Sequence, residues 1–171
     1  NINDNDIILE PSAGEGSFSD YFKQNNYNID SYDIDPKKDY IQKENFLELD
    51  ISIYNNKNVH SIGNPPFGRQ SSLAKQFIKK NALFCKSISF ILPKSFRKES
   101  FQKTFPPYFH LIKEIDLEKN AFTINDKSHN VPCVFQIWIK KDHERFIQPK
   151  IKENGFHFVK KPNLKIMELD D

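Results

Sequence analysis

Short apolar runs alternate along the chain with loop and helix patterns. Ile7-Ile8-Leu9 reads as a first strand, followed by the loop "EPSAGEGSF" and a helix over roughly Tyr21 to Gln24. "NIDSYDID" carries a second strand ending near Asp33, Phe46-Leu47 marks a third, and Val59 to Ile62 a fourth. Leu73, Phe77, Ile78, Ala82 and Leu83 then recur at helical spacing, with Ser71 or Ser72 as the cap. "SISFILP" is a continuous apolar run, as expected of a strand whose sheet has helices on both faces. "HLIKEIDL" and "PCVFQIWI" are two further strands, close enough in sequence to pair antiparallel. Beyond Lys140 the pattern breaks into a charged tail with one strand-like piece, Phe156 to Val159. The alternation predicts an α/β, doubly wound, mostly parallel sheet over residues 1–140 and a partly ordered tail over 141–171. In such sheets ligands bind at the carboxyl ends of the strands.

At 171 residues the chain suits one domain with a sizeable core. A content of 37% hydrophobic and 28% charged residues argues against wholesale disorder. No apolar run approaches the ~18 residues that a membrane span needs, and no signal peptide opens the chain. Together with Cys85 and Cys133, which lack C-x-x-C spacing, this predicts a cell-interior protein (cytoplasm, nucleus or host cell) with reduced thiols. The net charge of +2 hides an uneven distribution. Residues 1–50 hold 4 basic and 12 acidic side chains, whereas 51–113 hold 11 basic and one acidic, Glu99. The basic middle is a candidate polyanion footprint, with Arg69, Lys94, Arg97 and Lys98 as its proposed contacts beside Lys75, Lys79, Lys80 and Lys103. The plain alternative is a solvated helix face. The five histidines show no metal-ligand spacing, so no metal is expected. Trp138 is assigned to the core, as is Phe122 in preference to a target contact.

Three motifs fall at the carboxyl ends of predicted strands. In "ILEPSAGEGSF", Gly14 and Gly16 permit a tight turn and close approach to a ligand, although Ser19 stands where a third fingerprint glycine would be. Asp33 follows Gly14 by 19 residues, the place for an acid that accepts hydrogen bonds from ribose hydroxyls. In "SIGNPPFGRQ", Pro65 and Pro66 stop the fourth strand, and Asn64 is biased to an extended backbone. That rigid loop offers the Asn64 amide, the Pro65 carbonyl and the Phe67 ring in fixed relation. Two acceptors and a ring suit a flat, amine-bearing ligand.

"ILEPSAGEGSF", "SYDIDP", "NFLELD" and "IGNPPFG", in that order, resemble motifs of the class I S-adenosylmethionine-dependent methyltransferases. "NPPF" narrows the resemblance to amino-methyltransferases acting on exocyclic amines, chiefly N6 of adenine in DNA or RNA. The likeness covers about residues 6–140. It implies a Rossmann-like seven-stranded sheet ending in an antiparallel hairpin, over about 110–118 and 132–139. It implies S-adenosylmethionine as cofactor, with Glu10, Gly14 and Gly16 around the methionine end, Asp33 at the ribose, and Pro11 and Ile34 among the cofactor-binding residues. Asn45 stands where the family commonly has Asp against the cofactor adenine, and Phe46 packs on the adenine face. Asn64 borders both ligands, and Asn64, Pro65, Pro66 and Phe67 form the catalytic loop.

The chemistry agrees with that assignment. An adenine amine is a poor nucleophile because its lone pair is delocalised into the ring. Acceptors on both amine hydrogens, the Asn64 oxygen and the Pro65 carbonyl, localise that pair, while Phe67 stacks on the base. A base in a duplex must be flipped out to reach them. Two other readings stay open: a protein glutamine N5-methyltransferase, and a non-catalytic methyltransferase-like subunit. With so short a tail after Lys140, a second subunit could supply target recognition.

Overall fold

The computed structural model describes residues 2–118, 122–124, 127–129 and 132–148. The Phe156–Val159 piece and the Phe122 side chain lie outside the described structure. The strands are β1 (Ile7–Glu10), β2 (Ile29–Asp33), β3 (Gln42–Lys43), β4 (Val59–Gly63), β5 (Ser87–Pro93), β6 (Phe109–Asp116), β7 (Phe122–Ile124), β8 (Lys127–His129) and β9 (Cys133–Lys140). The helices are α1 (Ser17–Gln24), α2 (Ser72–Phe84) and the single turn α3 (Glu99–Gln102). Seven strands form one sheet in the order β3-β2-β1-β4-β5-β9-β6, in which only β9 runs against the others. β7 and β8 pair as a separate hairpin. This is the expected Rossmann-like architecture, with β6 and β9 antiparallel.

The core forms where α2 and α3 cover one face of the sheet. Phe77 and Ile78 of α2 belong to one buried cluster with Ile88, Phe90 and Leu92 of β5. Trp138 of β9 stacks on Phe105 with ring centroids 4.0 Å apart and is core, as expected. Each fully buried large apolar side chain contributes roughly 1.5–3 kcal/mol. α1 covers the other face over β1 and β2, where Ser19 hydrogen-bonds Glu10 and Ser31.

Four expectations shift. The third strand is not Phe46-Leu47 but Gln42–Lys43. Phe46 instead lies in a turn that buries its ring against Phe77, at 5.5 Å between centroids. α1 begins at Ser17, four residues before Tyr21, because the Glu10 carboxylate accepts the Ser19 backbone N–H and satisfies an open donor of the first turn. Leu83 is 68% exposed and points away from the core, whose α2 positions include Ala74 and Asn81. "SISFILP" is not covered equally on both faces. Ile88, Phe90 and Leu92 are buried, while Ser87, Ser89 and Ile91 are half-buried and stand outside the core cluster.

The chain past Lys140 stays against the body of the domain through Arg145. Its guanidinium donates to the carbonyls of Phe109 (2.7 Å), Phe105 (2.8 Å), Gln102 (3.1 Å) and Pro106. It also lies 5.3 Å from the Trp138 ring centre. One cation thus gathers four carbonyls at and after the end of α3, two of which also accept backbone N–H groups, and covers the core tryptophan. Arg145→Ala should lower unfolding free energy by about 2–3 kcal/mol in urea titrations, since hydrogen bonds to a charged donor are lost. Arg145→Lys should recover little of it, because an ammonium cannot span the same carbonyls.

Candidate functional site

β1 and β4 lie side by side and parallel, with Leu9 opposite Ser61. The sheet order reverses there, β2 and β3 lying on one side of β1 and β4 and β5 on the other. The loops leaving β1 and β4 therefore rise together at the switch point where such sheets bind ligands. A cleft of about 810 Å³ opens there. Nine of the expected site residues line it: Glu10, Pro11, Gly14, Asp33, Ile34, Asn45, Phe46, Asn64 and Pro66. Gly16, Pro65 and Phe67 do not.

The loop after β1 is held by carboxylates. Asp33 accepts the Gly14 N–H (2.7 Å) at one oxygen and the Asp35 N–H (2.9 Å) at the other. Each oxygen keeps a lone pair for a further donor. Glu10 is 2% exposed, and its Oε2 accepts both the backbone N–H (2.8 Å) and the hydroxyl of Ser19. Burial raises its pKa from the ordinary 4.5 to about 7, against the pull of the Ser19 hydrogen bonds. Gly16 serves packing: at φ 78° it sits where a side chain's first carbon would meet the Tyr40 hydroxyl at 2.6 Å. Tyr40 and Lys38 both bond Asp20 of α1, which fastens the loop after β2 onto that helix.

The third wall is the turn from Asn45 to Leu49. The Asn45 backbone carbonyl accepts from Glu48 and Leu49, and its side-chain oxygen accepts the Leu47 N–H at 3.1 Å. The Asn45 amide donates to Glu48 at 2.7 Å, which places a carboxylate beside the asparagine. Lys80 of α2 reaches across to the Leu49 carbonyl (2.7 Å) and lies 5.4 Å from the Phe46 ring centre. With Phe46 only 1% exposed, the open apolar surface at the rim belongs to Ile34, 69% exposed.

Asn64-Pro65-Pro66-Phe67 is fixed at both ends. The Ser12 hydroxyl donates to the Asn64 carbonyl (3.4 Å), linking the loops after β1 and β4. The Phe67 carbonyl accepts the Leu73 and Ala74 N–H groups and so caps α2, a task expected of the Ser71 or Ser72 side chain. Gln70 and Ser71, both left-handed, turn the chain back for this. Gly68 (φ 67°) is required, because a Cβ there would meet Leu73 at 2.9 Å. Asn64 and Pro66 are exposed and Pro65 is buried. Phe67 is half-buried against the core rather than projecting freely, since its ring adjoins the apolar cluster under α2.

Sequence reasoning missed Ser12, Ser19, Gly68 and Lys80, and the cleft residues Leu73, Phe77 and Ile91. Gly68 alone carried a visible signal, directly after the Pro-Pro-Phe run. All four expected phosphate contacts are exposed, and Arg69 and Lys98 have no carboxylate partner among the described residues. The other two are engaged in ion pairs. Lys94 pairs with Asp116, and Arg97 with Glu114 and Asp116, each at 2.7 Å. These acids lie on β6, just beyond the basic stretch, and neutralise part of it. Among the described residues no group of three or more His, Cys, Asp or Glu is placed to hold a metal, and no helix is long and apolar enough to cross a membrane.

The sheet order with its reversed β9 defines the Rossmann-like methyltransferase fold. The chain is structurally similar to class I S-adenosylmethionine-dependent methyltransferases. The 23S rRNA methyltransferase ErmE superposes with a TM-score of 0.59 at 14% identity, over 84% of this chain and 64% of that one. The chain thus spans less than two thirds of that enzyme's length. A 1,6-didemethyltoxoflavin-N1-methyltransferase from Burkholderia thailandensis, solved with S-adenosylhomocysteine, gives 0.54 at 13% identity over 80% and 71% of the two chains. An rRNA methylase from Streptococcus thermophilus gives 0.52 at 11% identity over 81% and 89%. No protein-family model and no curated protein matches the sequence.

The Glu10 carboxyl makes stability depend on pH. Its folded pKa lies above its unfolded value, so the fold holds the proton more tightly. That contribution is complete below pH 4.5 and is lost as pH rises through about 7. The rise corresponds to roughly 3 kcal/mol. Glu10→Gln, which keeps an acceptor for Ser19, should stabilise the protein by up to about that amount at pH 8 and hardly at pH 5 in urea unfolding.

Proposed function

We propose that the chain binds S-adenosylmethionine in the cleft between β1 and β4 and methylates an exocyclic amine, N6 of adenine in nucleic acid. The observation that carries this reading is that Asn64 and Pro66 border the same cleft as Gly14, Asp33 and Phe46, so the proposed acceptor loop and cofactor residues face one space. The residues fit the cofactor. Asp33 keeps lone pairs for ribose hydroxyls, the exposed Ile34 offers apolar surface to a purine, and the acidic Glu15 lines the cleft for a cationic ligand. Two of the structural neighbours act on ribosomal RNA by name, which supports a nucleic-acid target.

When bound, S-adenosylmethionine supplies a methyl carbon activated by an adjacent sulfonium. The residues of this chain prepare the nitrogen. The Asn64 side-chain oxygen and the Pro65 carbonyl accept the two amine hydrogens, which keeps the lone pair off the ring and aims it at the methyl. Positive charge would pass from sulfur to nitrogen as the nitrogen–methyl bond forms and the sulfur–methyl bond breaks, with a neutral thioether leaving, and the same acceptors would stabilise it in a site already organised to do so. The amine proton then leaves to water, so no strong base is needed. The part of the Phe67 ring that the core does not cover stacks on the base. Capping of α2 by the Phe67 carbonyl and the Ser12 contact to Asn64 keep the loop from relaxing.

Two substitutions separate cofactor binding from chemistry. Asp33→Ala should weaken calorimetric affinity for S-adenosylmethionine by about 1.5–3 kcal/mol, because hydrogen bonds to a charged acceptor are lost. Asp35→Ala should change it little.

Asn64→Ala should lower methyl transfer to DNA or RNA by roughly 10²–10³ with cofactor affinity nearly intact. Tritium transfer from labelled cofactor, run in parallel on DNA, RNA and protein, measures the rate and identifies the acceptor. An Asn64→Ala protein that folds, binds cofactor and transfers methyl at the normal rate would overturn the proposal. Transfer to protein alone would move the target to a glutamine amide.

A further inference from the structure

The cations of the basic middle fall into two groups. Lys94, Arg97 and Lys103 are paired with carboxylates, and Lys80 is bound to the Leu49 carbonyl. Arg69, Lys75, Lys79 and Lys98 have no carboxylate partner among the described residues. Their positions are connected. Arg69 opens the short turn between the Asn64–Phe67 loop and α2. Lys75 and Lys79 are one helical turn apart on α2, and Lys75 lies 4.3 Å from the centre of the Phe101 ring on α3. Lys98 is the residue at the start of α3, three before Phe101. A row of uncompensated cations therefore runs from the proposed acceptor loop across α2 to α3.

The other flank of α2 is different. Leu73 lines the cleft there, and Lys80 is held over Phe46. Beyond it the cleft carries Glu10, Glu15, Asp33 and Glu44, in a chain segment with 4 basic and 12 acidic side chains. Lys37 and Lys38 of that segment are already paired with Asp35 and Asp20. A polyanion is repelled from that flank and attracted to the Lys75 flank, while a cationic ligand has the opposite preference.

We propose that the phosphate backbone of the target nucleic acid lies along Arg69, Lys75, Lys79 and Lys98. The target base then enters the Asn64–Phe67 loop from the α2–α3 side, opposite the cofactor's flank. This rests on the methyltransferase reading above and adds the track of the substrate. Lys94 and Arg97, engaged with β6, are not part of it.

The test is fluorescence anisotropy of the whole 171-residue chain with labelled mixed-sequence single- and double-stranded DNA and RNA oligonucleotides, over a range of sodium chloride. Neutralising one phosphate contact removes about 0.7–0.9 from the slope of log affinity against log salt. The triple variant Lys75→Gln, Lys79→Gln, Lys98→Gln should therefore lower the slope by about 2–3 and weaken binding at least tenfold at low salt. Its calorimetric affinity for S-adenosylmethionine and its urea midpoint should be unchanged. Lys94→Gln should leave oligonucleotide binding as it was. An unchanged slope in the triple variant, an equal loss in Lys94→Gln, or no salt-dependent binding by the unmodified chain would each overturn the track. Cofactor binding, measured separately, tells whether the methyltransferase reading falls with it.

Discussion

The parallel pairing of β1 with β4 is the constraint on which the site depends. Those strands are separated in sequence by β2, β3 and a long connection, yet Leu9 and Ser61 face each other across one ladder. Their carboxyl ends are thereby set level, so the loop from Glu10 and the loop from Asn64 emerge as neighbours. A one-residue slip would turn Glu10 and Asn64 away from each other and from the cleft. The register is protected by burial on this pair, since Ile7, Ile8, Leu9 and Val59 are almost wholly enclosed. Core packing and site geometry are the same requirement here.

From that pairing the remaining walls follow by backbone satisfaction. A helix start leaves open N–H groups, and here two helices borrow acceptors from site loops: α1 from Glu10, α2 from the Phe67 carbonyl. The consequence is mechanical. Movement of the Glu10 or Phe67 segment would uncover a helix terminus, so each is tied to the helix it caps. The Lys80 bond to Leu49 extends the same logic to the turn carrying Asn45 and Phe46.

Most of the sheet was legible because β1, β5 and β9 are largely apolar and β2, β4 and β6 carry apolar positions in short segments, a signal local to each. β3 was not, because two exposed polar residues at a sheet edge leave no hydrophobic trace. The site was legible at residue types with one outstanding property: glycines, prolines, and an acid at a strand end. It was illegible where a role depends on a distant partner. The Lys94 and Arg97 pairs join the turn before α3 to acids on β6, 17 to 22 residues along the chain. The capping of α2 depends on Gln70 and Ser71 adopting left-handed backbone, which neither residue type announces.

Some of the exceptions lie at or next to the cleft. A glutamate almost without exposure and two successive left-handed residues that are not glycine each cost stability where they stand. Elsewhere in the described sheet, local pattern and observed structure mostly agree. Such conflicts persist when the surrounding packing over-determines them, and they mark places where the chain is shaped by something other than its own folding. The Glu10 carboxyl makes the point in electrostatic terms. Burial disfavours its charge, and among the described residues only Ser19 relieves that cost. A cationic ligand in the adjoining cleft would relieve it, which ties the burial of Glu10 to the charge of the ligand proposed above.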